Sequence, residues 1–452
     1  MKQSLKLASA FAAAGLATAG IAGCGSDSKS DSSSASTATP AAAAPTSAST
    51  DVKGKLSMVG IWTGDEQKSF KAVLSAFEAK YPGVTVKYTS AGDNTPTVLS
   101  TAVAGGSPPD LASVGQPGLV KDFVAKKALQ PITFAQDTIS AEYPADIAKL
   151  GTIDDKLYSF IFKAANKSTI WYNVKAFTDA GVTPPKTWDE FLTDAKTLGS
   201  SGTPAYSIGG ADGWTLTDLF ENIYIRQAGA DKYDQLSDHT IPWTDASVKT
   251  ALTTMAQIFS DKANIAGGTS GALQTDFPTS VENVFQNPAK AAQVIEGDFV
   301  PGVVASKTKL KAKTGYDEFA FPSINNSPAT VVGGGDSVIM FKDSPAAEAL
   351  VEFLASKDAQ EVWAKRGGMS SANKTVDPSV YPDDLTRATA TAIASAQTFR
   401  FDMSDLAPVD FGGTAGQGEW KILQDFLAKP TDVDGTADKL EKAAAKAYKA
   451  SK

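Results

Sequence analysis

Residues 55–88 commit the chain to a sheet covered by helices. Lys55-Leu56-Ser57-Met58-Val59-Gly60-Ile61-Trp62 alternates and is rich in β-formers, so it reads as a strand. Thr63-Gly64-Asp65-Glu66 opens a helix carrying Phe70, Val73, Leu74 and Phe77 at helical spacing, and Tyr81-Pro82-Gly83 stops it. Val84 to Tyr88 alternates again. A strand–helix–strand run of this kind makes the two strands parallel neighbours in an α/β sheet. Further along, a helix is expected from Thr97 to Ala104, a short strand from Leu111 to Val114 and a strand from Ser168 to Asn173. Trp188 to Leu198 reads as a helix opened by Thr187 with Glu190 three residues on. Strands are expected at Ala291 to Ile295 and Thr330 to Phe341, one long helix from Ala346 to Lys365, and a closing helix from Asp434 to Lys452. No fixed-period repeat marks a solenoid.

The first fifty residues have a different character. Lys2 and Lys6 precede an apolar run from Leu7 to Ile21 that is short for a bilayer span, the pattern of a bacterial secretory signal over residues 1–23. The run ends Ile21-Ala22-Gly23-Cys24, which resembles a lipobox, so Cys24 is expected to be acylated and to hold the protein to the membrane. Cys24 is the single cysteine, so no disulfide can form within the chain. Residues 24–50 are nearly all Ser, Ala, Thr, Asp, Gly and Pro; without large apolar side chains they read as a flexible tether. The rest, about 400 residues, is too long for one core and fits two lobes.

The chain is acidic, with formal charge −8; loss of Lys2 and Lys6 with the signal takes it to −10. That charge, with no basic patch interleaved with aromatics, argues against nucleic acid. One histidine, His239, and one lipidated cysteine leave no His/Cys metal cluster and no histidine-based nucleophilic triad. No phosphate-loop motif is present, and Gly333-Gly334-Gly335 lacks dinucleotide spacing. Asp432 to Asp438 looks like a fragment of a calcium loop but lacks the third acid before its glycine and the distal glutamate, so it reads as a turn and helix cap. No cofactor, metal or catalytic residue is assigned. Carboxylates are plentiful, and counting alone does not exclude a two-carboxylate glycosidase.

Several stretches, in order, resemble the bacterial extracellular solute-binding proteins of sugar importers, the maltose-binding-protein-like family: I-W-T-G-D-E, A-G-G-S-P-P-D-L with V-G-Q-P-G-L, the segment from Gly151 to Asn173, T-P-P-K-T-W-D-E-F, A-A-Q-V-I-E-G-D-F, V-V-G-G-G-D-S-V and the helix from Ala349 to Gly368. G-G-A-D-G-W-T-L-T-D-L-F-E-N and E-G-D-F look most like binders of α-glucosides or similar oligosaccharides. The resemblance implies an α/β, two-lobed periplasmic-binding-protein fold of type II, with a hinge crossed near 162–167, 329–332 and 371–374. Lobe 1 is expected to hold residues 51–163 and 330–372, and lobe 2 residues 164–329 and 373–452. It further implies a monomer that traps a sugar, stays unreactive toward it, and passes it to the permease subunits of an ABC transporter in the same membrane.

A sugar offers hydroxyls and a weakly apolar ring face, so its cleft needs aromatic platforms and planar polar groups. The resemblance and the loop positions single out Trp62, Asp65, Glu66, Gln116, Lys163, Asn166, Asp212, Trp214, Glu296, Asp298, Asp336, Arg366 and Trp420. Each has a structural alternative: core packing for Trp62 and Trp420, helix capping for Asp65 and Glu66, a hinge hydrogen bond for Lys163 and Asn166. Phe299 stands where the family often has Trp, which makes Asp298 the firmer expectation there. Two other functions stay open on this sequence: a surface-tethered glycoside-active enzyme, and a sensing or interaction module on the same fold.

Overall fold

A computed structural model describes residues 51–451. The expected signal at 1–23, Cys24 and the tether at 24–50 lie outside the described residues. The strands, in chain order, are β1 (Gly54–Gly60), β2 (Val84–Ser90), β3 (Leu111–Val114), β4 (Thr152–Ile153), β5 (Lys156–Leu157), β6 (Ser159–Asn166), β7 (Thr169–Asn173), β8 (Tyr206–Ser207), β9 (Gln293–Ile295), β10 (Tyr316–Ala320), β11 (Thr330–Met340), β12 (Ser370–Ser371) and β13 (Thr398–Phe401). β1 and β2 pair in parallel from Gly54 with Val84 to Gly60 with Ser90, joined by the helix Gly64–Lys80 as the sequence predicts.

Two main sheets result. The first runs β12-β6-β11-β3-β1-β2, with β13 beside β11; the second runs β10-β7-β9-β8. The chain leaves the first sheet between Asn166 and Thr169 and returns between Ala320 and Thr330. Leu56, Met58, Phe70, Phe77, Phe160, Leu350 and Leu354 build the core behind the first sheet. Ile170, Phe191, Leu216, Phe220 and Leu423 build a second core. Burying such side chains stabilises each by about 1.5–3 kcal/mol, which is what a body without disulfides must rely on.

Most elements fall where the sequence places them. Thr187 and Glu190 form the expected reciprocal cap: the Thr187 hydroxyl accepts from the Glu190 N–H, and the Glu190 carboxylate from the Thr187 N–H. The long helix expected from Ala346 to Lys365 is instead two, Pro345–Ala355 and Lys357–Ala364. Ser356 between them is extended, and its hydroxyl donates to the Phe353 carbonyl at 2.6 Å, so a local side-chain bond competes with helix continuation. His239, half-buried in the turn after Ala230–Ser237, stacks its ring on Tyr448 and places its Nε2 3.2 Å from Glu441.

Candidate functional site

In an open α/β sheet, ligands collect beyond the carboxyl ends of the strands. Here those ends converge on a cavity of about 290 Å³. β1 delivers Trp62 and Glu66, β2 delivers Asp93, β3 delivers Gln116, and on the second sheet the connections after β8 and β9 deliver Asp212, Trp214 and Phe299. β6 and β11 supply Lys163 and Asp336, and the helix Gly418–Ala428 supplies Trp420. A second cavity of about 600 Å³ shares Glu66, Phe277 and Phe299 with the first and extends past Asp65, Ser69, Lys307 and Arg366.

A bulge aims the central acid. β11 pairs with β6 as Asp336 with Lys163, then shifts register so that Ser337 faces Ile161. Such a bulge re-aims a side chain, and the Asp336 carboxylate accepts from the Trp62 indole N–H at 2.6 Å and lies 3.6 Å from Lys163 Nζ. Gly335, just before the shift, has no room for a side chain: a Cβ there would sit 2.5 Å from Ile161 and 2.9 Å from the Lys163 carbonyl. Lys163 also donates to Glu66 at 2.7 Å. Burial pulls its pKa down, but Glu66 and Asp336 outweigh that and hold it above its usual value.

Lys167 ends the same face two residues past Ala165. Its ammonium reaches Asp402 at 2.6 Å, Asp218 at 3.0 Å and Asp405 at 3.4 Å, and lies 5.9 Å from the Trp214 ring. Despite burial its pKa is raised by those acids. Asp402 is held low against burial by Lys167, whereas burial and the neighbouring Asp402 charge push Asp405 up. Trp214, Phe277 and Phe299 meet at centroid separations of 5.1–5.9 Å, Phe299 lying edge-on to both of the others. Trp214 starts its helix after Gly213, whose φ of +85° and approach to Trp420 suit only glycine.

The cavity brings together Trp62, Glu66, Gln116, Lys163, Asp212, Trp214, Asp336 and Trp420 of the expected residues; Asp65 and Arg366 line the second cavity. Trp62 is 0% exposed, packed against Phe70, Phe162 and Trp363, so it holds Asp336 rather than offering an open face. Asn166, Glu296 and Asp298 are not among the residues lining either cavity. Strand periodicity explains Asn166: side chains alternate, so with Lys163 and Lys167 on one face Asn166 points to the other, where it accepts from the Ser168 N–H at 2.9 Å. The Asp298 carboxylate accepts from the Ser370 hydroxyl, and burial pushes its pKa up to about 6. Phe299, the less favoured residue at that corner, lines both cavities. Glu296 is 2% exposed with Oε2 unpartnered among the described residues, its pKa raised by burial and the Asp218 charge. Asp93, Lys167, Asp276, Phe277 and Asp405, none of them among the expected residues, also line the first cavity. Asp93 was findable, since it follows a parallel strand at its carboxyl end.

The family model for bacterial extracellular solute-binding proteins matches residues 62–361, and the chain belongs to that family. It is therefore a binding protein working outside the cytoplasm. The alpha-glucosides-binding periplasmic protein AglE of Rhizobium meliloti is 32% identical over 403 residues, covering 86% of each chain. The osmoprotective compounds-binding protein GgtB of Synechocystis sp. is 31% identical over 390 residues, 84% of this chain and 90% of that one. The bacterial solute receptor AcbH superposes with a TM-score of 0.76 at 19% identity, over 88% of this chain and all of AcbH. The architecture is the two-lobed α/β fold of type II solute receptors.

Proposed function

We propose that the protein is a lipid-anchored receptor that closes two lobes on a carbohydrate, an α-glucoside or another oligosaccharide, and delivers it unaltered to an ABC importer. The carrying observation is the cavity wall. Trp214, Phe299 and Trp420 supply aromatic surface beside Glu66, Gln116, Asp212 and Asp336, which supply planar hydrogen-bonding groups, and they come from both sheets' connections. The similarity to AglE, named for alpha-glucosides, supports the ligand class. In this reading the lobes keep the expected bounds, 51–163 with 330–372 and 164–329 with the rest, except that β6 carries the first sheet on to Asn166 and β13 adds Thr398–Phe401 to it, and the second cavity extends the cleft for a longer ligand. Cys24 holds the assembly to the membrane.

Thermal shift against maltose, trehalose, sucrose and related oligosaccharides, followed by chromatography of the recovered sugar, tests the reading. A receptor is stabilised and returns the sugar intact. Cleaved sugar would establish an enzyme, and no shift with any sugar would remove the carbohydrate. Cys24→Ala should abolish membrane fractionation of the mature protein; unchanged fractionation with attached lipid would place the anchor elsewhere.

A further inference from the structure

The chain leaves the first sheet and returns to it along two stretches that run side by side. The Lys167 N–H donates to the Val332 carbonyl at 2.9 Å, and the Val332 N–H donates to the Ser168 hydroxyl at 2.9 Å. Phe321, at the start of the return, donates its N–H to the Ser168 carbonyl at 2.9 Å. One helix, Trp214–Ala228, fastens both links from its second half. The Asn222 side-chain amide donates to the Lys167 carbonyl at 2.9 Å, and its oxygen accepts from the Ser168 hydroxyl at 2.5 Å. One turn further on, Arg226 donates to the same Asn222 oxygen at 2.9 Å and to the Thr330 carbonyl at 2.8 Å. Its guanidinium lies 4.6 Å from the centroid of the Phe321 ring. Ser168, Asn222 and Arg226 are all buried. No carboxylate pairs with Arg226 among the described residues, and burial pulls its pKa down to about 9. A sealed guanidinium answered only by neutral oxygens is a poor stabiliser. Its planar fork, however, holds several acceptors in a fixed relation to one another. The first residue of the same helix, Trp214, lines the first cavity.

We propose that Asn222 and Arg226 are positioning residues for ligand capture. With Ser168 they bolt both links to the helix that offers Trp214 to the cleft, and so set how readily the two lobes close without touching the ligand. This rests on the receptor reading above. The bolts make Lys167, Ser168 and Thr330 to Val332 move with that helix, so rotation between the lobes falls on residues outside them. Fewer open arrangements are then available to the free protein, and less freedom is lost on closing. A residue that acts this way changes the fraction of protein ready to bind, which multiplies the apparent dissociation constant of every ligand by the same factor. A residue that touches the ligand changes each by its own factor.

Two variants test this. Arg226→Met removes the fork and keeps an apolar stem; Ser168→Ala, the gentler change, removes the hydroxyl shared by the two links. Calorimetry with maltose, trehalose, sucrose and related oligosaccharides should show each variant weakening every sugar that binds by one common factor, about two- to tenfold, the worth of one hydrogen bond. Trp214→Ala, on the same helix, should weaken them unequally. Spin labels at Lys87→Cys on β2 and Lys196→Cys on the helix Trp188–Ser200 report the spacing of the lobes, with the two single-label proteins as background for Cys24. Without ligand, the distance distribution should be broader in Arg226→Met and Ser168→Ala than in the parent; with ligand the three should coincide. A purely structural role would lower the unfolding midpoint and leave the distributions alike. Unequal weakening among the sugars, or distributions unchanged in both variants, would overturn the proposal. Broadened distributions in a protein that binds no sugar would support the bolts and overturn the carbohydrate reading instead.

Discussion

Lys163 on β6 and Lys167 just past its end lie four residues apart and line the same cavity, and each ends among acids, yet those acids differ in their surroundings. The partners of Lys163, Glu66 and Asp336, keep 37% and 16% of their side-chain surface in solvent. The partners of Lys167, Asp218, Asp402 and Asp405, keep 3%, 0% and 12%. A charge that can rehydrate is lightly bound to its partner; a charge sealed in protein is not. Glu66, the most exposed of these acids, can therefore leave Lys163 for solvent. Lys167 ties the helix Trp214–Ala228 and the turn at Met403–Leu406 to the segment linking the two sheets. One site is built to be rearranged and the other to be held.

The largest expected effect breaks the held site. Lys167→Met leaves Asp402 without its cation in a place water does not reach, and should cost about 3–5 kcal/mol in urea unfolding. Lys163→Met should cost clearly less, because Glu66 turns to solvent. Equal losses would end the distinction drawn here. Next comes Trp214→Ala, which removes aromatic surface from the cleft while Lys167 keeps its acids. Ligand binding should weaken by about 1.5–3 kcal/mol with little change in unfolding. Calorimetry showing unchanged affinity would remove Trp214 from the site.

The acid side of the held site has its own pH signature. Glu419 is 0% exposed with both oxygens unpartnered among the described residues, and burial with the Asp402 charge raises its pKa well above 4.5. A raised acid contributes stability that is full below its unfolded value and is lost as pH rises through the folded one. Stability should therefore decline toward alkaline pH, and Glu419→Gln should make that decline shallower. The gain should grow as pH rises toward the folded value, by about 1.4 kcal/mol for each unit that value lies above the unfolded one. Equal slopes for wild type and variant would show that Glu419 does not carry the effect.

The same contrast explains what the sequence disclosed. Alternation and helical spacing are local, so β1, the helix after it and β2 were readable to within two or three residues. So was the Thr187–Glu190 cap, whose parts are three residues apart. Asp336 was singled out because the three glycines before it permit a close backbone approach, and it does line the first cavity. The Lys167 cluster was not, because Asp218, Asp402 and Asp405 come from distant segments and only packing brings them to one ammonium. Asn166 was misplaced by reading a motif as a block; period-two alternation already sets it opposite Lys163. Ser356 was missed because Ser-Lys-Asp inside an apolar pattern reads as continuation until the helix is seen to restart there.

The smallest expected effect sharpens the comparison from the other end. Glu66→Gln keeps the shape of the side chain and removes one of the two charges beside Lys163, while Asp336 remains 3.6 Å away. The lost pair is partly solvated on its acid side, where such interactions are worth about 0–1 kcal/mol and are screened by salt. Unfolding free energy should change by less than 1 kcal/mol on that scale, and the difference should shrink further as salt is raised. A loss approaching that of Lys167→Met, insensitive to salt, would mean that the cleft lysine is as firmly built in as its neighbour. Ligand would then have to bind without displacing Glu66 from it.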